Sequence, residues 1–432
     1  MYVIAQRFKK YFENAFWLIF EKVFTLFVGM LVGIYVARYL HPESYGLLNY
    51  TISFVSIFSA FSTLGLDQIV VRELAKGTER QSDLLGTAFV MKMIGSVVLL
   101  GVMVVLMFFM QDNAFTNTLI IIIAMAELFK AFDVINYFFQ SQVQSKNVVQ
   151  IQLIINLLIS LIKIGMVFMH ASLVWFAIVV VINSVLNAFG YIYAYKAKEG
   201  SLKAWKFHKV LAYSLLRESW PLALYGIALN IQARIDQVML GKMLNNYEVG
   251  QYSVALKFIE IFGFVPMVLM NTFTPAVTKA KVISEELYQS RLVNLYRLMF
   301  FTFLLVAVPI FFFDENVIVL LYGNEYQAAG YLLSLFALRL FFSNMGVGKS
   351  VFIVNESLFR YSLLTVVLGA VANIALNLWL IPLYGTVGAI IASMISFIVS
   401  IFIVDLFFDR TRENQRLMFK GIFSFWKLKD AS

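Results

Sequence analysis

Long uninterrupted apolar runs recur along this chain, and they fix its solvent before they fix anything else. A helix needs about 20 apolar residues to cross the ~30 Å hydrocarbon core of a bilayer. Strands that cross a membrane read as alternating residues, which these runs do not. The runs predict helices over residues 14–38, 44–66, 86–110, 116–139, 148–170, 172–195, 219–240, 247–272, 292–313, 327–350, 361–381 and 384–408. The expected class is therefore an all-α polytopic membrane protein with about 12 transmembrane helices. Composition points the same way. The chain is 61% hydrophobic and only 14% charged, against roughly a quarter charged in soluble domains. Its polar surface is too small to cover a globule in water.

The basic residues give an orientation, because Lys and Arg collect in cytoplasmic loops. With the N-terminus inside, the inner segments hold Arg7, Lys9, Lys10, Arg72, Lys76, Lys146, Lys196, Lys203, Lys281, Arg360 and others, and six more run from Arg410 to Lys429. The outer turns hold Arg38 and Lys242, both at helix ends, while QDNAFTN, FDENVIVLLYGNE and IPLYGTVG hold none. This regular alternation accounts for the net charge of +9 as topogenic, and nucleic acid is not an expected partner. The stretch from Phe16 to Leu40 is too long for a signal-peptide core and carries Glu21 and Lys22. It reads as an uncleaved first helix.

Several chemistries are missing. The chain has no cysteine, and its three histidines, His41, His170 and His208, form no spaced ligand motif. That removes disulfides, thiolate metal sites and cysteine nucleophiles. There is no nucleotide-binding loop and no catalytic triad. No metal, no cofactor and no enzymatic activity are expected.

Residues 1–200 are expected to form an N-terminal six-helix bundle and 219–408 a C-terminal one. Between them, 201–218 reads as a cytoplasmic interfacial helix carrying Trp205 with Lys203, Lys206 and Lys209. Residues 409–432 read as a basic cytoplasmic tail of the same kind. The halves also resemble each other. ARYLHPESYGLLNYTISFVSIF follows the first span, and LGKMLNNYEVGQYSVALKFIEIF follows the seventh. With six helices per half, such a repeat is parallel, about an axis along the membrane normal. Gly29 and Gly33 form a small-xxx-small pattern expected to pack helix on helix.

The informative residues are the charges inside the spans, since each costs roughly 2.5–3.5 kcal/mol at a helix centre. Lys92, Arg297 and Lys349 fall near inner ends, where they are expected to snorkel. Lys130, Lys163, Arg234, Lys257 and Arg339 lie deeper, as do Glu127, Asp133, Asp236 and Glu260. Many share faces at helical spacing: Glu127 with Lys130; Gln152, Asn156, Ser160 and Lys163; Ser253, Lys257 and Glu260; Asn373 and Asn377. Polar stripes on apolar helices imply a central aqueous cavity between the bundles. The structural alternative is ion pairing that only fixes packing, as Glu127 with Lys130 or Lys257 with Glu260. The deep cations suit an anionic substrate or headgroup. The deep acids suit a coupling proton or sodium ion.

The strings above, together with STLGLDQIVVRELAK, SWPLALYGIALNIQARIDQVML and IPLYGTVGAIIAS, resemble the bacterial O-antigen and polysaccharide flippases. These belong to the multidrug/oligosaccharidyl-lipid/polysaccharide exporter superfamily. The resemblance runs from about residue 14 to 408, in order. It departs at His41, where the family often has glycine before the proline. It implies two six-helix bundles around a central cavity and alternating access. It implies a polyprenyl-pyrophosphate-linked oligosaccharide, an O-antigen or capsule precursor, carried from the inner to the outer leaflet of a bacterial inner membrane. Both termini would then be cytoplasmic, with polysaccharide assembly proteins as neighbours. ARIDQ places Arg234 and Asp236 on the family's pattern. The rival expectations within the superfamily are a cation-coupled drug exporter and a peptidoglycan-precursor flippase.

Overall fold

The computed structural model describes residues 2–77, 80–110, 112–198 and 201–427, with side chains from Phe16 onward. The side chains of Arg7, Lys9 and Lys10, residue Lys429 and the last residues of the basic tail lie outside the described set. All twelve expected spans are helical, and no strand occurs among the described residues. Lipid offers no partner for backbone N–H and C=O groups, so each segment must satisfy them within itself.

The chain divides into two compact units. The first, residues 1–40 and 47–230, holds most of α1 (Tyr2–Phe58), α2 (Ala60–Thr63), α3 (Asp67–Lys76), α4 (Gln81–Met110), α5 (Ala114–Phe129) and α6 (Asp133–Ser141). It also holds α7 (Lys146–Phe168), α8 (Leu173–Lys198) and the start of α9 (Lys209–Met243). The second, residues 41–46 and 231–432, holds the rest of α9, then α10 (Asn246–Phe262), α11 (Phe264–Ile283), α12 (Glu285–Tyr322), α13 (Gln327–Asn355), α14 (Phe359–Ile398) and α15 (Asp409–Ile422).

Eight helical stretches among the described residues are long and apolar enough to cross a membrane. Two of them, Phe16–Lys76 and Phe359–Phe407, are broken by non-helical backbone at His41 and Gly385 and so supply two spans each. The α5–α6 pair and α9 complete the set of twelve. These two carry the charged residues Glu127, Lys130, Asp133, Arg234 and Asp236.

Two segments expected to lie in the membrane interface, 201–218 and 409–432, depart from expectation. The interfacial helix expected over 201–218 is instead one 3-10 turn, Leu202–Ala204, followed by the beginning of α9. Trp205 turns into the first unit, where its indole N–H donates to the Tyr195 hydroxyl at 3.2 Å and its ring meets Phe89 at 5.5 Å. The C-terminal helix α15 likewise packs on α12. Met418 is fully buried, and the Tyr296 hydroxyl donates to Asn414 Oδ1 at 2.8 Å.

Lys92 and Lys349 do not snorkel, because each has found a buried acceptor set. Lys92 donates to the Tyr137 hydroxyl at 2.8 Å and lies 3.5 Å from Asp67. Lys349 is 2.5 Å from Asp405 and donates to the carbonyls of Ser400 and Ile401, which a π-helical turn leaves available. Arg297, half-buried, donates to Ser424 and Asn294. Among the described residues, Gly29 and Gly33 meet no neighbour within 4 Å of where a Cβ would stand, so the helix contact expected of them is not formed there.

Candidate functional site

The charges read from the sequence fall into two clusters, one in each unit. In the first unit α5 stops at Phe129, a 3-10 turn spans Lys130–Phe132, and α6 begins at Asp133. The break rotates the register, so the stripe that starts at Glu127 does not continue straight through Tyr137. Glu127 is buried and accepts from Lys130 Nζ at 2.5 Å and from the Ser62 hydroxyl at 2.6 Å. Lys130 and Asp133 turn toward a cavity of about 260 Å³ that they share with Glu21, Gln152, Asn156 and Asn187. Asn183, Ser184 and Tyr191 line it as well. Ten of its eleven lining residues carry a polar or charged side chain, although the cavity lies among helices that cross lipid.

A chain of hydrogen bonds ties part of this wall together. Asn156 donates to the Thr25 hydroxyl at 2.8 Å, and Thr25 donates to Glu21 at 3.0 Å. Gln152 donates to the Tyr191 hydroxyl at 2.8 Å, and Asn187 donates to the Asn183 carbonyl at 2.8 Å. Lys163 lies two helical turns beyond Asn156 on α7, about 10 Å along the axis, and does not line the cavity.

In the second unit Asp236 is fully buried. It accepts from the Tyr252 hydroxyl at 2.6 Å, from Asn377 at 2.7 Å and from Asn373 at 3.1 Å. Both asparagine Oδ1 atoms are buried with no hydrogen-bond partner. Such orphan acceptors are uncommon in native interiors. Arg234 lies 3.3 Å from Glu260. Lys257 makes no contact ion pair with Glu260 among the described residues. Lys257 instead donates to the Tyr45 hydroxyl at 3.0 Å, 4.8 Å from that ring's centre. Arg339 has no hydrogen bond or ion pair among the described residues. It lies 5.5 Å from the Phe336 ring centre and 5.2 Å from that of Phe397. The ring quadrupoles attract the guanidinium without neutralising it.

The repeated strings meet within the second unit. A Cβ on Gly46 would stand 1.7 Å from the Asn246 carbonyl oxygen, and one on Gly250 would stand 2.0 Å from the Pro42 carbonyl oxygen. The sequence offset that carries Gly46 onto Gly250 also carries Pro42 onto Asn246. The crossing is thus reciprocal, each copy of the motif offering its glycine to the backbone of the other. Beside it, His41 has φ 57° and ψ 166°. That region is open essentially to glycine alone, the residue the resembling family often has there. The His41 ring reaches Glu325, 2.6 Å away.

Sequence reasoning missed Asp67, Asp405 and the α8 contribution to the cavity. The α8 signal was present as Asn183, Asn187 and Tyr191 at steps of four, but none of these is charged. Asp67 and Asp405 lie at the edges of the apolar runs, where acids are unremarkable.

A family model described as polysaccharide biosynthesis protein matches residues 11–265. A Haloferax volcanii protein named "Probable low-salt glycan biosynthesis flippase" is 25% identical over 172 residues, covering 38% of this chain and 35% of that protein. The chain thus matches about a third of that relative's length. A Haemophilus influenzae protein of the Lsg locus is 21% identical over 345 residues, 76% of this chain and 80% of that one. Among solved structures, the lipid II flippase MurJ in an inward closed conformation superposes with a TM-score of 0.72 at 14% identity, covering 96% of this chain and 92% of that one. An inward-facing multidrug resistance MATE family transporter of the MOP superfamily gives 0.64 at 15% identity, covering 95% and 96%. At these identities the structures establish the fold alone, the one these transporters share.

Proposed function

Since the chain belongs to the polysaccharide biosynthesis protein family, we propose that it is a flippase for a lipid-linked glycan. Its substrate is a polyprenyl-pyrophosphate-linked oligosaccharide repeat unit, an O-antigen or capsule precursor. The protein moves it from the inner to the outer leaflet of a bacterial cytoplasmic membrane by alternating access, with both of its own termini cytoplasmic. Polysaccharide assembly proteins supply and consume the cargo. No covalent bond need form or break in this work.

The observation that carries the reading is the state of Arg339. It is a cation in a membrane-crossing helix, held by two aromatic faces and by no acid among the described residues. A guanidinium with no ion-pair partner at contact distance is costly in such a place unless an anion completes it. A pyrophosphate supplies that anion in forked geometry. Lys257, on tyrosine instead of glutamate, supports the same reading. Lys130, Lys163 and Arg234 are proposed as supporting cations, with Lys130 and Arg234 drawn from their acids when substrate arrives.

Coupling is assigned to the acids. Asp236 with the orphan oxygens of Asn373 and Asn377 offers three hard ligands once the two amides turn over. Amide orientation is set by such networks, so a proton or a sodium ion can exchange with the present arrangement. Glu127, Asp133 and Glu260 are proposed as further carriers. A lipid II-like precursor is the second reading, favoured by the likeness to MurJ.

Deletion in the native host tests the proposal. Surface polysaccharide should be lost while lipid-linked repeat units accumulate on the cytoplasmic side. Surface polysaccharide that persists with no such accumulation overturns it.

A further inference from the structure

The polar cavity of the first unit has a chemistry that the pyrophosphate does not explain. Its walls come from α1, α5, α6, α7 and α8, all within one unit. The hydrogen bonds among the wall residues leave capacity on both sides of the donor–acceptor ledger. Gln152 Oε1, Asn156 Oδ1, Asn187 Oδ1 and the Asp133 carboxylate have no hydrogen-bond partner among the described residues. The Asn183 amide N–H groups and the Ser184 hydroxyl are unused donors on the same basis. Turning any of these amides over moves its donor and acceptor but removes neither.

Such a mixed wall discriminates between ligands. A dehydrated cation wants acceptors only, and an anion wants donors only. A hydroxyl group both donates and accepts, which is what a side-chain amide answers. The size agrees, since about 260 Å³ far exceeds one bare cation. Phe129 and Tyr191 in the lining bring apolar surface suited to the C–H side of a sugar ring. Polar groups within lipid-spanning helices are costly and mark substrate paths.

We propose that this cavity is a sugar subsite that takes one hydroxyl-rich ring of the glycan. Gln152, Asn183, Ser184 and Asn187 read its hydroxyls, and Asp133 and Glu21 accept from them. The assignment rests on the flippase reading above and deepens it. The amides of the first unit then hold sugar, while the cations proposed above, Lys130 and Lys163 among them, answer the phosphate.

The chain has no cysteine, so Ser184→Cys places a single thiol in the cavity wall. The full-length variant, in nanodiscs, is labelled with a maleimide in the presence of three probes. These are lipid-linked oligosaccharide extracted from the native host, sugar-free polyprenyl pyrophosphate, and sodium chloride. The glycosylated lipid should slow labelling at least about tenfold, as expected for an occupied pocket at saturating ligand, and the other two should leave it unchanged. Asn187→Leu should weaken binding of the glycosylated lipid about tenfold, the worth of roughly 1.4 kcal/mol of hydrogen bonding, with the sugar-free lipid bound as before. Protection by sodium alone makes the cavity a cation site and overturns the proposal. Glycosylated lipid that binds without protecting the thiol overturns the subsite and leaves the flippase reading standing. Glycosylated lipid that does not bind at all overturns the flippase reading beneath it.

Discussion

The Asp236 carboxylate lies 2.7 Å from the Asn377 amide nitrogen, and no lysine or arginine pairs with it among the described residues. Three neutral donors hold it. Asp236→Asn keeps the shape and removes the charge. The orphan Oδ1 of Asn373 or Asn377 can turn to accept from the new amide. A buried carboxylate without a contact ion pair carries a desolvation penalty of several kcal/mol, so the variant should melt no lower than the wild type. Transport in proteoliposomes should fall at least about tenfold (~1.4 kcal/mol) and lose its response to an imposed ion gradient. A variant that still answers the gradient removes Asp236 from coupling.

Arg339→Gln removes the cation from between Phe336 and Phe397 and leaves the fold intact, because no acid is stranded by the change. Affinity for the pyrophosphate-bearing lipid should drop by about 1.5–3 kcal/mol, the usual worth of a hydrogen bond to a charged group. Arg339→Lys should recover only part of it, since a point charge lacks the planar fork. Equal binding by all three proteins would place this guanidinium in packing alone.

Lys349 and Asp405 make the opposite case, a buried pair that holds structure together. Lys349→Met strands the Asp405 carboxylate, which also accepts from the Tyr361 hydroxyl. The expected loss is about 3–5 kcal/mol, read as a fall in melting temperature in detergent. Adding Asp405→Leu to that variant should return most of the loss, because the charge left without a partner is what costs.

Gly250→Ala drives a methyl group to within 2.0 Å of the Pro42 carbonyl. Overpacking of this kind costs typically 1–3 kcal/mol, here against backbone that cannot rotate aside. Gly29→Ala and Gly33→Ala meet open space and should lie within about 0.5 kcal/mol of the wild type. Thermal scans of the three variants check the contrast.

His41→Gly sets two magnitudes against each other. The backbone at φ 57° is strained by about 1–3 kcal/mol for a non-glycine residue. The His41–Glu325 pair is largely exposed, and such pairs contribute about 0–1 kcal/mol. Relief of strain outweighs loss of the pair, so the variant should melt higher than the wild type.

The helices were legible because lipid leaves the backbone only one way to pair, and a run of apolar residues reports that directly. The clusters were half legible. Glu127 and Lys130 sit one turn apart and could be paired from spacing, as the structure has them. Glu260 was within reach of two cations, and spacing on α10 favoured Lys257, but Arg234 on α9 took it. A tertiary choice of that kind leaves no trace in periodicity. Lys92 and Lys349 misled for a related reason. Depth alone suggests an escape to the headgroups, while Asp67 and Asp405, distant in sequence, offered closer partners. The sugar cavity hid because its members are mostly amides and a hydroxyl, and a search for charge passes over them.

The crossing of Gly46 with Gly250 sets peptide against peptide, with no side chain between them. Val249, Tyr252, Tyr45 and Leu47 are buried on either side of it, so oily surface is sealed around a contact that only two glycines permit. One added methyl on either side would hold those apolar neighbours apart as well.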